Sequence, residues 1–316
     1  YLFLDEIQHV PLFERVVDNF FVQDNIDIYI TGSNAYFMSS DMATLLTGRY
    51  VQIEMLPLSY KEYIDAYSES GLSRMVLYEK YVSEGSFPGL LHMSENWQGR
   101  QDYLQGLFNT VVLKDIVDRL KIADIKLLES IVRYIFANIG SLINPTKIAN
   151  SLTSAGRKVD NKTVERYLRG LEDSLLLYNT ERFDVLGKEL LRLRPKYYVV
   201  DMAFKQLLLP DINRDRGHVL ENVVYLELRR RGYTVYVGQL TKGEIDFVAQ
   251  KPGGILEYYQ VSESVLDPTT RDRELAPLEA VKDQYPKFLL TMDELYKPHN
   301  YNGIQQCNVL DWLLGR

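Results

Sequence analysis

Leu2-Phe3-Leu4 runs directly into Asp5-Glu6. An apolar strand that ends on two carboxylates can support magnesium with the first and orient an attacking water with the second. Phosphoryl transfer needs that pairing. The same string also fits an ordinary strand end. A second apolar stretch, IDIYITGSN (residues 26–34), ends at Asn34, and Arg49 follows in LTGRY. Arg49 is able to reach a phosphate as an arginine finger, or to lie at a strand edge as plain surface charge. Far along the chain come Glu221 in LENVVYLE, Asp246 in GEIDFV and Gln260 in YYQVSES. Carboxylates in the order helix, hairpin strand, next strand can hold magnesium for phosphodiester chemistry when a lysine joins them. Here the third position reads Gln260-Val261-Ser262. Glutamine offers a neutral oxygen, but serine brings no positive charge. Glu221, Asp246 and Gln260 are thus either a second metal set or a degenerate, structural or nucleic-acid-binding version of one. Glu244 and Glu257 lie close enough in sequence to be recruited.

A third set is basic. NKTVERYLRGLEDSLL carries Lys162, Arg166 and Arg169, with Lys158 just before it and Asn161, Thr163 and Tyr167 interleaved. The following hairpin pattern carries Arg182, Lys188, Arg192, Arg194 and Lys196. Basic side chains near a helix N-terminus and along a hairpin suit phosphate contacts. Glu165, Glu172 and Asp173 dilute the charge, so double-stranded DNA and a protein partner both stay open.

The elements that must position these groups follow from periodicity. Strands are expected at 1–5, 26–34 and 49–59, with a helix at 11–23, the order of a parallel sheet. Residues 60–138 read as helices at Tyr60–Tyr67, Ser73–Ser83, Trp97–Leu120 and Lys126–Asn138. Asn144-Pro145 is an N-cap followed by proline at the first helical position. It opens a helix at 146–152, a turn, a helix at 161–176 and strands near 177–184 and 190–200. Helix, turn, helix, hairpin is the winged-helix order. Residues 217–316 read as α/β: a helix at 219–231, strands near 233–237, 244–250 and 255–262, a helix at 271–284 and a strand at 287–292.

The chain has 316 residues, 46% hydrophobic and 25% charged, enough for two or three domains with sizeable cores. A net charge of −7 argues against a generally basic coat for nucleic acid and leaves only local basic patches. One cysteine, Cys307, excludes an intrachain disulfide and suits a reducing compartment, so a cytoplasmic location is expected. The four histidines (His9, His92, His218, His299) show no zinc spacing. No apolar run is long enough for a membrane span, and no secretory leader pattern is visible. The 23 tyrosines read as half-buried sheet residues rather than as base-stacking platforms.

LDEIQ, TGSNA, LTGRY and EMLPLSYKEY occur in that order. With YLRGLEDSLLLY, RPKYYVVDMAF, LENVVYLELRRRGY, GEIDFVAQ, YYQVSES and TRDRELAPLEAVKDQYPKFLLT, they make the chain resemble, from end to end, a prokaryotic AAA-type P-loop ATPase family. The C-terminal half of that family is a domain of unknown function with a restriction-endonuclease-like order. The resemblance implies ATP and Mg2+ as cofactors of the parent protein. In it Asp5 would support the metal, Glu6 would be the general base, Asn34 would hold the attacking water, and Arg49 would be the finger. It also implies four parts: an ATPase core over 1–59, a helical lid over 60–125, a winged helix over 126–201 and a restriction-endonuclease-like domain over 217–316. One departure is plain. The phosphate-binding string G-x-x-x-x-G-K-[ST] is absent, and the Gly187-Lys188 pair is followed by Glu189. A chain that starts without methionine inside a strand pattern is expected to be a fragment, with an ATP site it cannot complete alone. Recognition of DNA or of a protein is what it is expected to keep.

Overall fold

The computed structural model describes residues 1–7, 10–32, 48–93, 97–209, 216–294 and 299–316; for Val112, Leu113, Arg192 and Leu193 only the backbone is described. Strands β1 (Leu2–Leu4) and β2 (Ile28–Ile30) pair in parallel, Leu2 opposite Ile28 and Leu4 opposite Ile30. Helix α1 (Phe13–Phe21) makes the crossover and buries Phe13 and Val17 with Ile7 against Leu4, Ile28 and Ile30. The alternate residues Phe3 and Tyr29 face outward and stack on each other, ring centroids 5.0 Å apart. The strand expected at 49–59 does not form among the described residues. Residues 50–56 carry no strand pairing, and Val51, Ile53 and Met55 are exposed.

Ser59 starts the helical part with a capping box: its hydroxyl accepts from the Glu62 amide at 3.1 Å, and Glu62 Oε2 accepts from the Ser59 amide at 2.7 Å. Helices α2 (Tyr60–Ala66), α3 (Arg74–Glu84), α4 (Pro88–Leu91) and α5 (Trp97–Phe108) follow. The last continues through a π-helical stretch, Asn109–Ile116, into α6 (Val117–Leu120). Next come α7 (Ile125–Ala137), α8 (Pro145–Ser154), α9 (Asn161–Asp173) and a hairpin of β3 (Leu177–Asp184) with β4 (Glu189–Val199). Asp124, Asn144 and Asp160 cap α7, α8 and α9 through their side chains, which is why the helices begin there. Leu142 bridges to Lys196 of β4.

The chain closes with α10 (Met202–Leu208), α11 (Arg216–Arg230), β5 (Thr234–Gln239), β6 (Glu244–Gln250) and β7 (Leu256–Ser262). After these come α12 (Pro268–Ala280), β8 (Lys287–Thr291), β9 (His299–Tyr301), β10 (Ile304–Asn308) and α13 (Val309–Leu313). The hairpin and these later strands form one eight-stranded mixed sheet, in the order β4-β3-β5-β6-β7-β8-β10-β9. The joint is the parallel pairing of β3 with β5, Arg182 opposite Val237. The hairpin read as the wing of a winged helix is thus an edge of the C-terminal sheet.

Helix α11 packs on one face of this sheet, where Tyr198, Tyr225 and Phe247 are buried together; Tyr198 and Tyr225 stack with centroids 4.3 Å apart. The other face buries Val185, Ile245, Val248, Tyr258 and Leu278. Three consecutive arginines anchor the end of α11. Arg229 pairs with Glu54 at 2.8 Å, Arg230 donates to the Pro57 carbonyl at 2.8 Å, and Arg231 donates to the Trp312 carbonyl at 2.6 Å. These bonds join the stretch before α2 to the C-terminal sheet.

Candidate functional site

Two polar centres form, one at each end of the chain. At the first, β1 and β2 end side by side, so Asp5 and Thr31 become neighbours. The Thr31 hydroxyl donates to the Asp5 carboxylate and accepts from the Glu6 amide at 3.1 Å. The Glu6 backbone turns into the left-handed region, φ 48°, which a non-glycine residue enters only when its surroundings hold it there. The chain thus leaves the strand sharply, with both carboxylates exposed at the tip. This oxygen-rich tip fits a hard cation. Asn34 lies outside the described residues. Arg49 lies on α1: it pairs with Asp18 at 2.9 Å, and its guanidinium sits 5.4 Å from the Phe21 ring centroid. Thr31 had escaped notice in TGSN, although a hydroxyl at the end of a strand beside a carboxylate-tipped strand is a readable signal.

The basic set divides. Lys162, Arg166 and Arg169 lie exposed along one face of α9, and Arg166 covers the ring of Tyr167 at 5.4 Å. Lys158 and Arg194 are also exposed. Asn161 donates to Thr146 Oγ1 at 3.0 Å and so ties the starts of α8 and α9 together. Two of the hairpin cations, Arg182 and Lys196, turn inward. Arg182, expected among the nucleic-acid contacts, has a side chain only 12% exposed; it bonds to Gln239 and lies 3.5 Å from Glu244. Lys188 bonds to Asp283 and, at 2.7 Å, to the Tyr258 hydroxyl. Lys196 is buried. Because the hairpin pairs with the C-terminal sheet, Arg182, Lys188 and Lys196 meet carboxylates of the C-terminal portion, while Arg194 stays exposed.

The second centre is an open cleft of about 610 Å3 on the C-terminal sheet, lined in part by Glu221, Glu244, Asp246, Gln260 and Glu274. Glu221 comes from α11, and its neighbour Asn222 sets the helix in place. The Asn222 side-chain amide accepts from the Val199 N–H at 2.8 Å and donates to the Val199 carbonyl at 3.0 Å, like one residue of a missing strand. Asp246 owes its position to a bulge. Tyr236 pairs with Val248 and Gly238 with Ile245, so Asp246 and Phe247 together oppose Val237 alone. Gly238 permits this close packing, since a Cβ there would lie 2.9 Å from Ile245 and Val248.

Sequence order does bring Glu221, Asp246 and Gln260 to one cleft. Their contacts, however, are with backbone amides, neighbouring side chains and one cation of the protein. Asp246 Oδ2 accepts from the Val261 amide at 2.8 Å, while the Asp246 amide donates to Gln260 Oε1 at 3.3 Å. Gln260 donates to Glu274 at 2.9 Å. Among the described residues, no three His, Cys, Asp or Glu side chains converge as metal ligands do. Lys196 and Tyr198, two residues apart on β4, reach into this cluster from the hairpin. Their i, i+2 spacing in RPKYYV was the available signal. Burial and the Glu221 charge raise the Asp246 pKa well above the usual carboxylate range, against the pull of Lys196 and the Val261 amide.

The strand–helix–strand unit with its carboxylate tip is that of an AAA-type domain, and residues 1–64 match the AAA domain family. Residues 75–214 match a domain of unknown function (DUF8612). The chain is 39% identical over 316 residues to an uncharacterized protein of Haemophilus influenzae, covering 99% of this chain and 77% of that protein. It is 31% identical over 302 residues to an uncharacterized protein of Methanocaldococcus jannaschii, covering 89% of this chain and 65% of that one. The chain belongs to the family of the Haemophilus protein, and its AAA-type N-terminal portion marks an ATPase-like parent that uses ATP and Mg2+. Among the described residues no helix is long and apolar enough to cross a membrane.

Proposed function

We propose that this chain is the C-terminal portion of an AAA-type ATPase, with nucleotide-dependent chemistry at the tips of β1 and β2 and nucleic-acid recognition on α9. The observation that carries the first part is the Thr31 hydroxyl, which donates to the Asp5 carboxylate and accepts from the Glu6 amide at the tip of a parallel strand in a match to the AAA domain family. Asp5 would support the magnesium ion, whose charge would offset that of the phosphates. Glu6 would accept the proton of the attacking water, and Asn34 would orient that water. Arg49 serves as a finger only if it leaves Asp18. No G-x-x-x-x-G-K-[ST] string lies in these 316 residues, so the groups that grip the phosphates would be contributed from outside them. A role that uses ATP, with a lone cysteine, suits the cytoplasm.

The test is a titration of this chain with a fluorescent ATP analogue, with and without magnesium. No magnesium-dependent micromolar binding is expected. The full-length Haemophilus influenzae relative should hydrolyse ATP and lose the activity when the residue aligned with Glu6 becomes glutamine. Tight magnesium-dependent binding by this chain alone would overturn the assignment, because the phosphates would then be held within it.

The second part rests on the exposed Lys162, Arg166 and Arg169 in the helix-turn-helix-hairpin order of a winged helix. Three neutralised phosphates give a slope of about −2.7 for log K against log salt on duplex DNA. Arg166→Ala should lower its magnitude by about 0.9, one contact's worth. Salt-independent binding, or none, would refute the DNA reading and leave α9 as a protein-docking face.

A further inference from the structure

The Lys196 ammonium stands where the sequence offered no cation. It lies 3.2 Å from Glu221 Oε1 and 2.8 Å from Glu244 Oε1, and its side chain is 5% exposed. The same Glu221 oxygen accepts from the Tyr198 hydroxyl at 2.5 Å. The remaining acids of the cleft are likewise partnered within the protein. Arg182 lies 3.5 Å from Glu244, Arg273 lies 2.8 Å from Glu274, and Arg216 lies 3.4 Å from Glu263. The backbone delivers the lysine deliberately: Thr180 opposes Lys196 and Arg182 opposes Leu191, so residues 192–195 of β4 bulge against Glu181 alone. Lys196 is the first paired residue after that bulge.

We infer that Lys196 is the resident cation of this cleft, occupying the place a divalent metal would take between Glu221 and Glu244, beside Asp246. A hard divalent cation needs several oxygens about 2.0–2.6 Å from one point. Here the oxygens converge on an ammonium at hydrogen-bond distance instead, and no three acids are arranged for a metal. Burial alone would lower the Lys196 pKa, but Glu221, Asp246 and Glu244 outweigh it and leave it above the ordinary lysine range. The cleft is a cation site closed by its own protein, and the lysine that closes it pins the hairpin to α11.

The experiment compares the whole chain with Lys196→Met, Lys196→Arg and Lys196→Met/Glu244→Gln in manganese titrations. Binding is read by electron paramagnetic resonance and thermal unfolding by circular dichroism. Wild type and Lys196→Arg should show no manganese-dependent rise in Tm. Lys196→Met should gain one site at least tenfold tighter than any in wild type and a Tm that rises with manganese, and the added Glu244→Gln should abolish both. If Lys196→Met unfolds without metal, manganese should restore its folded signal. Two results would overturn the inference: wild type binding manganese at a site that Asp246→Asn removes, or Lys196→Met gaining no manganese response.

Discussion

Asn222→Leu is the substitution whose cost the structure defines most directly. Asn222 and Val199 are both fully buried. The amide side chain accepts from the Val199 N–H at 2.8 Å and donates to its carbonyl at 3.0 Å. Leucine keeps the branch at Cγ but is larger than asparagine, so no cavity forms and any overpacking adds to the cost. What changes is that two buried backbone groups at the end of β4 lose their partners, each at about 1–3 kcal/mol. The total is roughly 2–6 kcal/mol, with a fall in Tm on the order of 10 °C. Urea unfolding followed by far-UV circular dichroism gives the number, and an unchanged m-value shows that the folded state kept its extent. A variant within about 0.5 kcal/mol of wild type would refute the reasoning, since Val199 would then have other partners. The same change loosens Glu221, one residue earlier, from the hairpin, so stability and the geometry of the cleft should fall together.

Two further outcomes are expected. Burial alone would raise the Asp283 carboxyl, but Lys188 and the Tyr258 hydroxyl outweigh it and hold it below its ordinary value. An acid lowered on folding contributes stability above its unfolded pKa of about 3.9, and loses it as pH falls through the lower folded value. Asp283→Asn should therefore flatten the acid side of the stability profile below about pH 4 and leave neutral pH less stable than wild type. Ser59→Ala removes the cap of α2 and both side-chain bonds with Glu62, for about 1–2 kcal/mol in urea unfolding.

The sequence by itself determined the local elements and most of their chemistry. Asn144-Pro145 and Asp160 announced α8 and α9, since a cap and a proline act within one turn of chain. Period-four spacing marked the rod from Trp97, although nothing local announced its π-helical stretch. The apolar runs before Asp5 and Asn34 marked two adjacent parallel strands, although one face of each is exposed through Phe3 and Tyr29. The alternation in 49–59 misled, because period two reports a strand's preference and not the presence of a neighbour.

Tertiary structure alone decided where the hairpin cations go. Arg182, Lys188 and Lys196 sit in a stretch that reads as a phosphate-facing wing, and their partners lie up to 95 residues away, as for Lys188 and Asp283. Strand pairing between β3 and β5 turned them toward those acids. The second site shows the same division. Glu221, Asp246 and Gln260 could be named from their order in the chain, but their charge state and partners depend on a lysine delivered by a distant bulged strand. Electrostatics acts through space and not along the chain, so a missing cation in one motif can be supplied by another that the sequence assigns elsewhere.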